Sequence, residues 1–268
     1  MYSFIFNLPY PVQALLAGIF TWGITALGAS IIFMFKKINK TFLDGMLGFS
    51  AGVMIAASFF SLIQPAIEKC LELKMMPWLM VSIGFLSGGL LLFIGDKIYD
   101  IYNKKHPQNK KNSKNENIKR CIMLIFAITL HNIPEGMAIG IAFGSIKYGM
   151  NTTMAALILT LGIGIQNFPE GSAISVPLVR EHFSKKKAFF LGQLSAIVEP
   201  ISAFLGALIV IKMNTILPFM LSFAAGAMIY VVVEELIPES QTNERKDIMA
   251  LFTLIGFSIM MILDVALG

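Results

Sequence analysis

The chain has 268 residues, of which 56% are hydrophobic and 14% are charged, and its formal net charge is +5. Soluble domains typically carry about 25% charged residues and fewer apolar ones. So apolar a composition excludes a disordered chain, and two cysteines are too few for a disulfide-stapled secreted module. Because a lipid bilayer is the solvent that suits such a chain, we predict an all-α integral membrane protein.

Eight stretches are long and apolar enough to be membrane-spanning helices, which need about 20 mostly apolar residues. Numbered spans 1 to 8, they cover residues 10–35, 43–67, 77–97, 120–144, 152–179, 187–211, 216–238 and 248–267. We therefore predict a single transmembrane domain over residues 1–268. Residues 98–119, between spans 3 and 4, are rich in Lys and Asn, and a flexible polar loop on the cytoplasmic side is expected there.

The basic residues indicate how the spans are oriented. The loops that follow spans 1, 3, 5 and 7, counted together with the span residues that border them, hold 17 of the 21 Lys and Arg residues. The positive-inside rule places these loops in the cytoplasm and both termini outside, in a plasma membrane that we expect to be a bacterial inner membrane. Since this asymmetry accounts for the net charge, we expect lipid rather than nucleic acid around the protein.

Two pairs of spans repeat each other in sequence. Span 4 contains HNIPEG (residues 131–136) and span 5 contains QNFPEG (residues 166–171), while GFSAGVMI in span 2 (48–55) is echoed by SFAAGAMI in span 7 (222–229). In the predicted topology the members of each pair run in opposite directions. Inverted repeats are typical of secondary transporters, whose binding sites lie at the repeat interface. We therefore predict an inverted repeat of spans 1–3 and 6–8 around the central spans 4 and 5.

Ionisable residues inside the spans indicate a functional site, because they are costly in the hydrocarbon core. The i, i+4 spacing puts His131 and Glu135 on one helix face, and Gln166 and Glu170 repeat that geometry. Carboxylates, imidazole and amide oxygens together suit a divalent transition metal. The thioether of Met54 is a further soft donor, although packing in the core explains it equally well. The candidate metal ligands are His131, Asn132, Glu135, Gln166, Asn167, Glu170, Glu199 and Met54.

HNIPEG and QNFPEG resemble the signatures of the ZIP (ZRT/IRT-like) metal transporters, in particular those of the prokaryotic GufA/ZupT-like branch. The resemblance covers essentially the whole chain and implies a binuclear centre between spans 4 and 5. It implies one metal held by His131, Glu135, Gln166 and Glu170, with Met54 as a further candidate ligand. It implies a second metal held by Asn132, Glu135, Asn167, Glu170 and Glu199, so that Glu135 and Glu170 would bridge the two metals. Some family members have Asp at the position of Asn167, and a neutral amide is the weaker ligand.

The resemblance also implies a function, namely transport of zinc into the cytoplasm, with iron, manganese and cadmium as further candidate substrates. The metal would then be the substrate, so neither a cofactor nor an enzymatic activity is expected. A homodimer is a plausible assembly for the family. The residues alone leave two alternatives open, which are an intramembrane metalloenzyme and a metal-selective channel. The enzyme is disfavoured because the chain has no His-Glu-x-x-His motif and no Ser or Cys paired with a base.

Overall fold

The computed structural model describes residues 8–34, 39–105, 125, 129, 132–149, 152–180, 182–212 and 214–267. These residues form eight long helical segments, α1 to α8, and none of them is in a β-strand. Each helix corresponds to the predicted span of the same number. Their bounds are Tyr10–Met34, Lys40–Glu72, Pro77–Lys105, 132–145, Thr153–Arg180, Lys185–Lys212, Leu217–Ser240 and Lys246–Leu267.

Within the described residues, six helices are long and apolar enough to cross a membrane, namely α1, α2, α3, α6, α7 and α8. The helix α5 has 28 residues, which is long enough, but Gln166, Asn167 and Glu170 lower its hydropathy. The helix α4 is described over 14 residues, with the separate positions 125 and 129 also helical. An all-α membrane protein is thus confirmed, while the count of eight spans stays a prediction for spans 4 and 5.

Helix α3 is longer than the sequence pattern predicts. It continues to Lys105, so the first eight residues of the predicted loop 98–119 are helical, and residues 106–119 lie outside the described residues. The reason is local, because residues 97–105 contain no glycine or proline, and Ile98 and Ile101 continue the helical spacing from Ile94. The predicted span ends at residue 97 because most of the following residues are polar. A polar sequence can nevertheless continue a helix beyond the hydrocarbon core.

Besides a turn at Ser30 near the end of α1, three of the described helices contain a break. The helix α2 changes to a π-helical turn over Ser58–Ile63, and α7 does so over Val232–Leu236. In both cases the turn begins three residues after the repeated motif, which ends at Ile55 or Ile229. The two copies of the motif are therefore followed by the same backbone conformation. The third break is a turn at residues 195–197 of α6, immediately before Glu199 and Pro200. The π-helical turns of α2 and α7 are of a kind that is frequent at functional sites.

Glycines bring α2 and α8 into backbone contact. A Cβ atom on Gly52 of α2 would collide with the carbonyl oxygen of Thr253, and one on Gly256 of α8 would collide with that of Phe49. Contacts this close require small residues at the crossing, as is common between helices in membranes. The two helices therefore form one tightly packed pair.

The same arrangement joins α3 and α7. A Cβ atom on Gly226 would collide with the carbonyl oxygen of Phe85, and one on Gly88 with that of Phe223. Gly226 and Phe223 follow Gly52 and Phe49 by 174 residues, and Gly256 and Thr253 follow Gly88 and Phe85 by 168 residues. The α2–α8 contacts thus have counterparts, position by position, in the α3–α7 contacts.

A second group of close contacts involves α1, α4, α5 and α6. A Cβ atom on Gly171 of α5 would collide with the carbonyl oxygen of Thr25 in α1, and one on Gly136 of α4 would collide with that of Glu199 in α6. Gly136 and Gly171 occupy the same place in the two repeated motifs, and Thr25 and Glu199 are again 174 residues apart. Both repeated motifs are therefore held by equivalent glycine contacts.

The boundary between the two groups is formed by α5, which packs against α2 and α8. Here the space beside Gly162 of α5 is filled by the flexible side chain of Met260 rather than by backbone. A hydrogen bond also crosses this boundary, from the hydroxyl of Ser50 to the carbonyl oxygen of Gln166 at 3.3 Å. The described helices therefore pack as two groups, α1–α4–α5–α6 and α2–α3–α7–α8.

Substituting Gly226 tests this packing. We expect Gly226→Ala to lower the midpoint of thermal unfolding in detergent, because the added methyl group must push α7 away from the carbonyl of Phe85 at a cost of about 1–3 kcal/mol. The matched control is Gly23→Ala in α1, where no atom lies within 4 Å of the added Cβ. This control should unfold at the wild-type temperature or slightly above it. Equal midpoints for the two variants would contradict the close contact.

Candidate metal centre

Glu199 lies where α1, α5 and α6 meet, and it is fully buried. The side-chain amide of Asn167 donates to Oε1 and to Oε2 of Glu199, at 2.9 Å in each case. The hydroxyl of Thr21 donates to Oε2 as well. Since a carboxylate accepts but does not donate, Asn167 must present its NH₂ group to Glu199. The turn at residues 195–197 and Pro200 place this carboxylate at the beginning of the second half of α6.

Glu135 and Gln166 connect the two repeated motifs. The side-chain amide of Gln166 in α5 donates to Oε1 of Glu135 in α4, and both side chains are fully buried. The backbone of Gln166 is in turn held by Ser50 of α2. Gln166 therefore connects the two repeated motifs and also lies at the boundary between the two packing groups.

Glu170 completes a cluster of three buried carboxylates. It is 1% exposed, while Glu135 and Glu199 are 0% exposed. Both Glu135 and Glu170 lie within electrostatic range of Glu199. Ionised carboxylates that interact in a region of low dielectric constant repel one another. The cluster therefore requires protons or cations to balance its charge.

Unpartnered amide atoms lie beside these carboxylates. Among the described residues, Oε1 of Gln166, Oδ1 of Asn167 and both amide atoms of Asn132 are buried without a hydrogen-bond partner. Buried polar atoms are nearly always partnered, so each exception calls for an explanation. Amide and carboxylate oxygens are also suitable ligands for divalent metals. The donor set thus fits a divalent metal ion.

The other predicted ligands are placed differently. Met54 is fully buried in the largest apolar cluster, which fits the packing explanation. His131 lies outside the described residues. Within the described part of the chain, no three His, Cys, Asp or Glu residues come close enough together to hold a metal ion. The glutamates therefore need the amide oxygens, His131 or both to complete a coordination sphere.

Sequence reasoning missed two hydroxyl residues of this site, Thr21 and Ser50. Both are buried, and both hydrogen-bond to residues of the cluster or their backbone. A weak signal existed, because Thr21 and Thr25 are spaced i, i+4 and so place two hydroxyls on one face of an apolar helix. Ser50 lies within the repeated motif of span 2, which in the sequence served only as evidence for the inverted repeat.

Comparison with known proteins identifies the family. A family model described as "ZIP Zinc transporter" matches residues 12–121 and 116–264. The chain belongs to the ZIP zinc transporter family. The zinc transporter ZIP11 of Bos taurus is 36% identical to it over 332 residues, covering 96% of this chain and 97% of the relative. The zinc transporter GufA of Myxococcus xanthus is 32% identical over 263 residues, covering 96% and 98%.

These matches also distinguish a metal transporter from an intramembrane metalloenzyme, two functions that the sequence alone left open. The zinc transporter ZupT of Streptococcus mutans is 36% identical over 228 residues, covering 81% of this chain and 83% of the relative. Together with GufA, it confirms the resemblance to the GufA/ZupT-like branch, to which the vertebrate ZIP11 relatives are added. Because ZIP proteins are transporters, the alternative of an intramembrane metalloenzyme is excluded.

Asn167 offers a direct test of the centre. We expect Asn167→Asp to lower the unfolding midpoint of the metal-free protein, because an ionised Asp cannot donate to Glu199 and repels it. Losing a hydrogen bond to a charged group costs about 1.5–3 kcal/mol. Zinc should then raise the midpoint more than it does in the wild type, since the added carboxylate is a stronger ligand. Thermal unfolding in detergent with and without zinc measures both effects.

The matched control is Asn243→Asp, which alters another buried amide–carboxylate pair. The side-chain amide of Asn243 donates to Oδ2 of Asp44 at 2.8 Å, in a part of the bundle formed by α2 and the turn before α8. This variant should also be destabilised, but its response to zinc should equal that of the wild type. An equal response to zinc in Asn167→Asp would contradict the assignment of Asn167 to the centre.

Proposed function

We propose that this protein carries zinc across the membrane into the cytoplasm through a centre between α4 and α5. The observation that carries this proposal is the cluster of three buried carboxylates beside unpartnered amide oxygens, in a chain of the ZIP zinc transporter family. The relatives whose names state zinc transport cover nearly the whole chain. Iron, manganese and cadmium are further substrates that this oxygen-rich donor set could accept.

We propose a binuclear centre in which Glu135 and Glu170 bridge two zinc ions. The first ion would be bound by these bridges with His131 and Gln166, and the second by the bridges with Asn132, Asn167 and Glu199. The hydrogen bond between Gln166 and Glu135 supports this division, because it brings the two motifs together at the proposed first site. Oxygen and amide donors bind zinc more weakly than thiolates do, and transport needs release as well as capture.

The packing supports a carrier that works by alternating access. Backbone contacts at glycines lie within the group α1–α4–α5–α6 or within the group α2–α3–α7–α8, whereas the boundary at α5 contains the flexible Met260 side chain. Sliding one group against the other would therefore disrupt fewer close backbone contacts than a movement of helices within either group. A metal-selective channel formed by the same residues is the second candidate function, and it needs no such movement.

The contact pattern also supports the inverted repeat and the orientation. The equivalent glycine contacts of α2–α8 and α3–α7 are what an inverted repeat of spans 1–3 and 6–8 would produce. We propose that both termini face outward, that the odd-numbered loops are cytoplasmic, and that the membrane is a bacterial inner membrane, from the distribution of Lys and Arg. A homodimer is the proposed assembly, from the resemblance alone.

Transport into liposomes tests the function. Wild-type protein in liposomes loaded with a zinc-sensitive dye should give saturable zinc uptake, and Glu170→Ala and His131→Ala should reduce the uptake rate by at least about tenfold, since each removes a strong ligand. The control is Glu239→Ala, which removes an exposed carboxylate at the end of α7 and should leave uptake unchanged.

Each outcome of this assay is informative. Wild-type activity in both ligand variants would contradict the site, and no uptake by the wild type would contradict the function. Strong temperature dependence together with saturation supports the carrier, whereas weak dependence without saturation supports the channel. Repeating the assay with Fe²⁺, Mn²⁺ and Cd²⁺ determines which of the further metals are substrates.

Uptake should also depend on the external pH. Metal ligands such as carboxylate and imidazole must be deprotonated to bind, so protons compete with zinc for Glu135, Glu170 and Glu199. We expect the zinc concentration for half-maximal uptake to rise as the external pH is lowered from 7 to 5. A half-maximal concentration that does not change over this range would contradict direct binding by these carboxylates.

A further inference from the structure

We propose that Thr21 of α1 is a positioning residue that holds Glu199 so that only its Oε1 atom is available to a metal. This inference deepens the proposed function and rests on it. It assigns a role to α1, a helix that contributes no ligand to the proposed centre.

The helix α1 supports Glu199 at the break in α6. A Cβ atom on Gly18 would lie 2.7 Å from the Cα atom of Pro200, so α1 passes directly against the Glu199–Pro200 backbone. Thr21 follows Gly18 by one helical turn on the same face. Its single hydroxyl proton has two acceptors within reach, Oε2 of Glu199 and the carbonyl oxygen of Gly18 at 3.0 Å. The glycine therefore sets the distance between the helices, and the threonine makes the polar contact.

The hydrogen bonds distinguish the two oxygen atoms of Glu199. Each carboxylate oxygen has two lone pairs. Among the described residues, Oε2 accepts from Thr21 and from Asn167, so both of its lone pairs are used, whereas Oε1 accepts from Asn167 alone. Within this part of the chain, one lone pair of Oε1 has no donor. The arrangement thus favours coordination of a metal by Glu199 through one oxygen over coordination through two.

Orientation of this kind affects affinity. A ligand that is held in place loses little conformational freedom when it binds metal, and residues that hydrogen-bond to ligands typically change affinity by about 10- to 100-fold when they are removed. Thr21 is well suited because its short β-branched side chain has few rotamers and is fully buried. Sequence alone shows only a threonine in an apolar helix, since its partner lies 178 residues away.

Thr21→Val removes the hydroxyl and keeps the shape of the side chain. We expect zinc binding to the purified protein in detergent, measured by equilibrium dialysis, to show one of the two sites weakened by about tenfold and the other unchanged. Thr21→Ser restores the donor and should return that site to the wild-type affinity. In the liposome assay, Thr21→Val should raise the zinc concentration for half-maximal uptake more than it lowers the maximal rate.

The matched control is Thr25→Val on the same helix. Thr25 is also buried, but among the described residues its hydroxyl bonds only to the carbonyl of Thr21 within α1, at 3.3 Å. This variant should bind zinc as the wild type does. Thermal unfolding of both valine variants separates a loss of stability from a loss of affinity, and Thr21→Ala provides a second hydroxyl deletion without added bulk should Thr21→Val fail to fold.

The outcomes separate the inference from the function on which it rests. Wild-type zinc affinity in Thr21→Val or Thr21→Ala, together with weakened binding in Glu199→Gln, would overturn the positioning role and leave the proposed function intact. Equal weakening in Thr21→Val and Thr21→Ser would also overturn it, because the donor would then not matter. Wild-type protein that neither binds nor transports zinc would overturn the proposed function and this inference with it.

Discussion

Three carboxylates are buried inside the helical bundle and interact electrostatically, and much of the structure bears on how their charge is balanced. Glu135, Glu170 and Glu199 are removed from solvent, and ionised groups are costly in such an environment. Hydrogen bonds from Thr21, Asn167 and Gln166 offset part of that cost. In the proposed function, a divalent cation would balance the remaining charge, so that repulsion among the carboxylates would favour binding of the substrate.

The enclosure of this cluster depends on close helix packing. Glycines at the crossings bring helix axes so near to each other that backbone carbonyls lie where side chains would otherwise be. The two packing groups meet at α5, which carries Gln166, Asn167 and Glu170 and packs against α2. The hydrogen bond from Ser50 to the backbone of Gln166 crosses this boundary next to the centre. Binding and relative movement of the groups would therefore be coupled at the same place.

Much of this could be predicted from the sequence, because the relevant signals are local. Spans are visible as apolar runs, and the Asn-x-Pro-Glu-Gly motif occurs twice, so the family and the glutamates of α4 and α5 were found without a structure. Helix α3 was predicted too short because apolar runs report the thickness of the hydrocarbon, whereas helix length depends on backbone propensity. Met54 was a candidate ligand because its chemistry is suitable, but chemistry alone cannot distinguish a ligand from a core residue.

The sequence by itself thus determined the membrane class and the family and supplied the candidate ligands, since these follow from composition and from motifs a few residues long. Only the tertiary structure decided which distant groups meet. It brought Thr21 to Glu199 across 178 residues, turned the amide of Asn167 toward that carboxylate, and left amide atoms of Asn132 and Gln166 without partners among the described residues. The physical reason is that hydrogen bonds and charge interactions act over a few ångströms in space, and helix packing alone sets those distances.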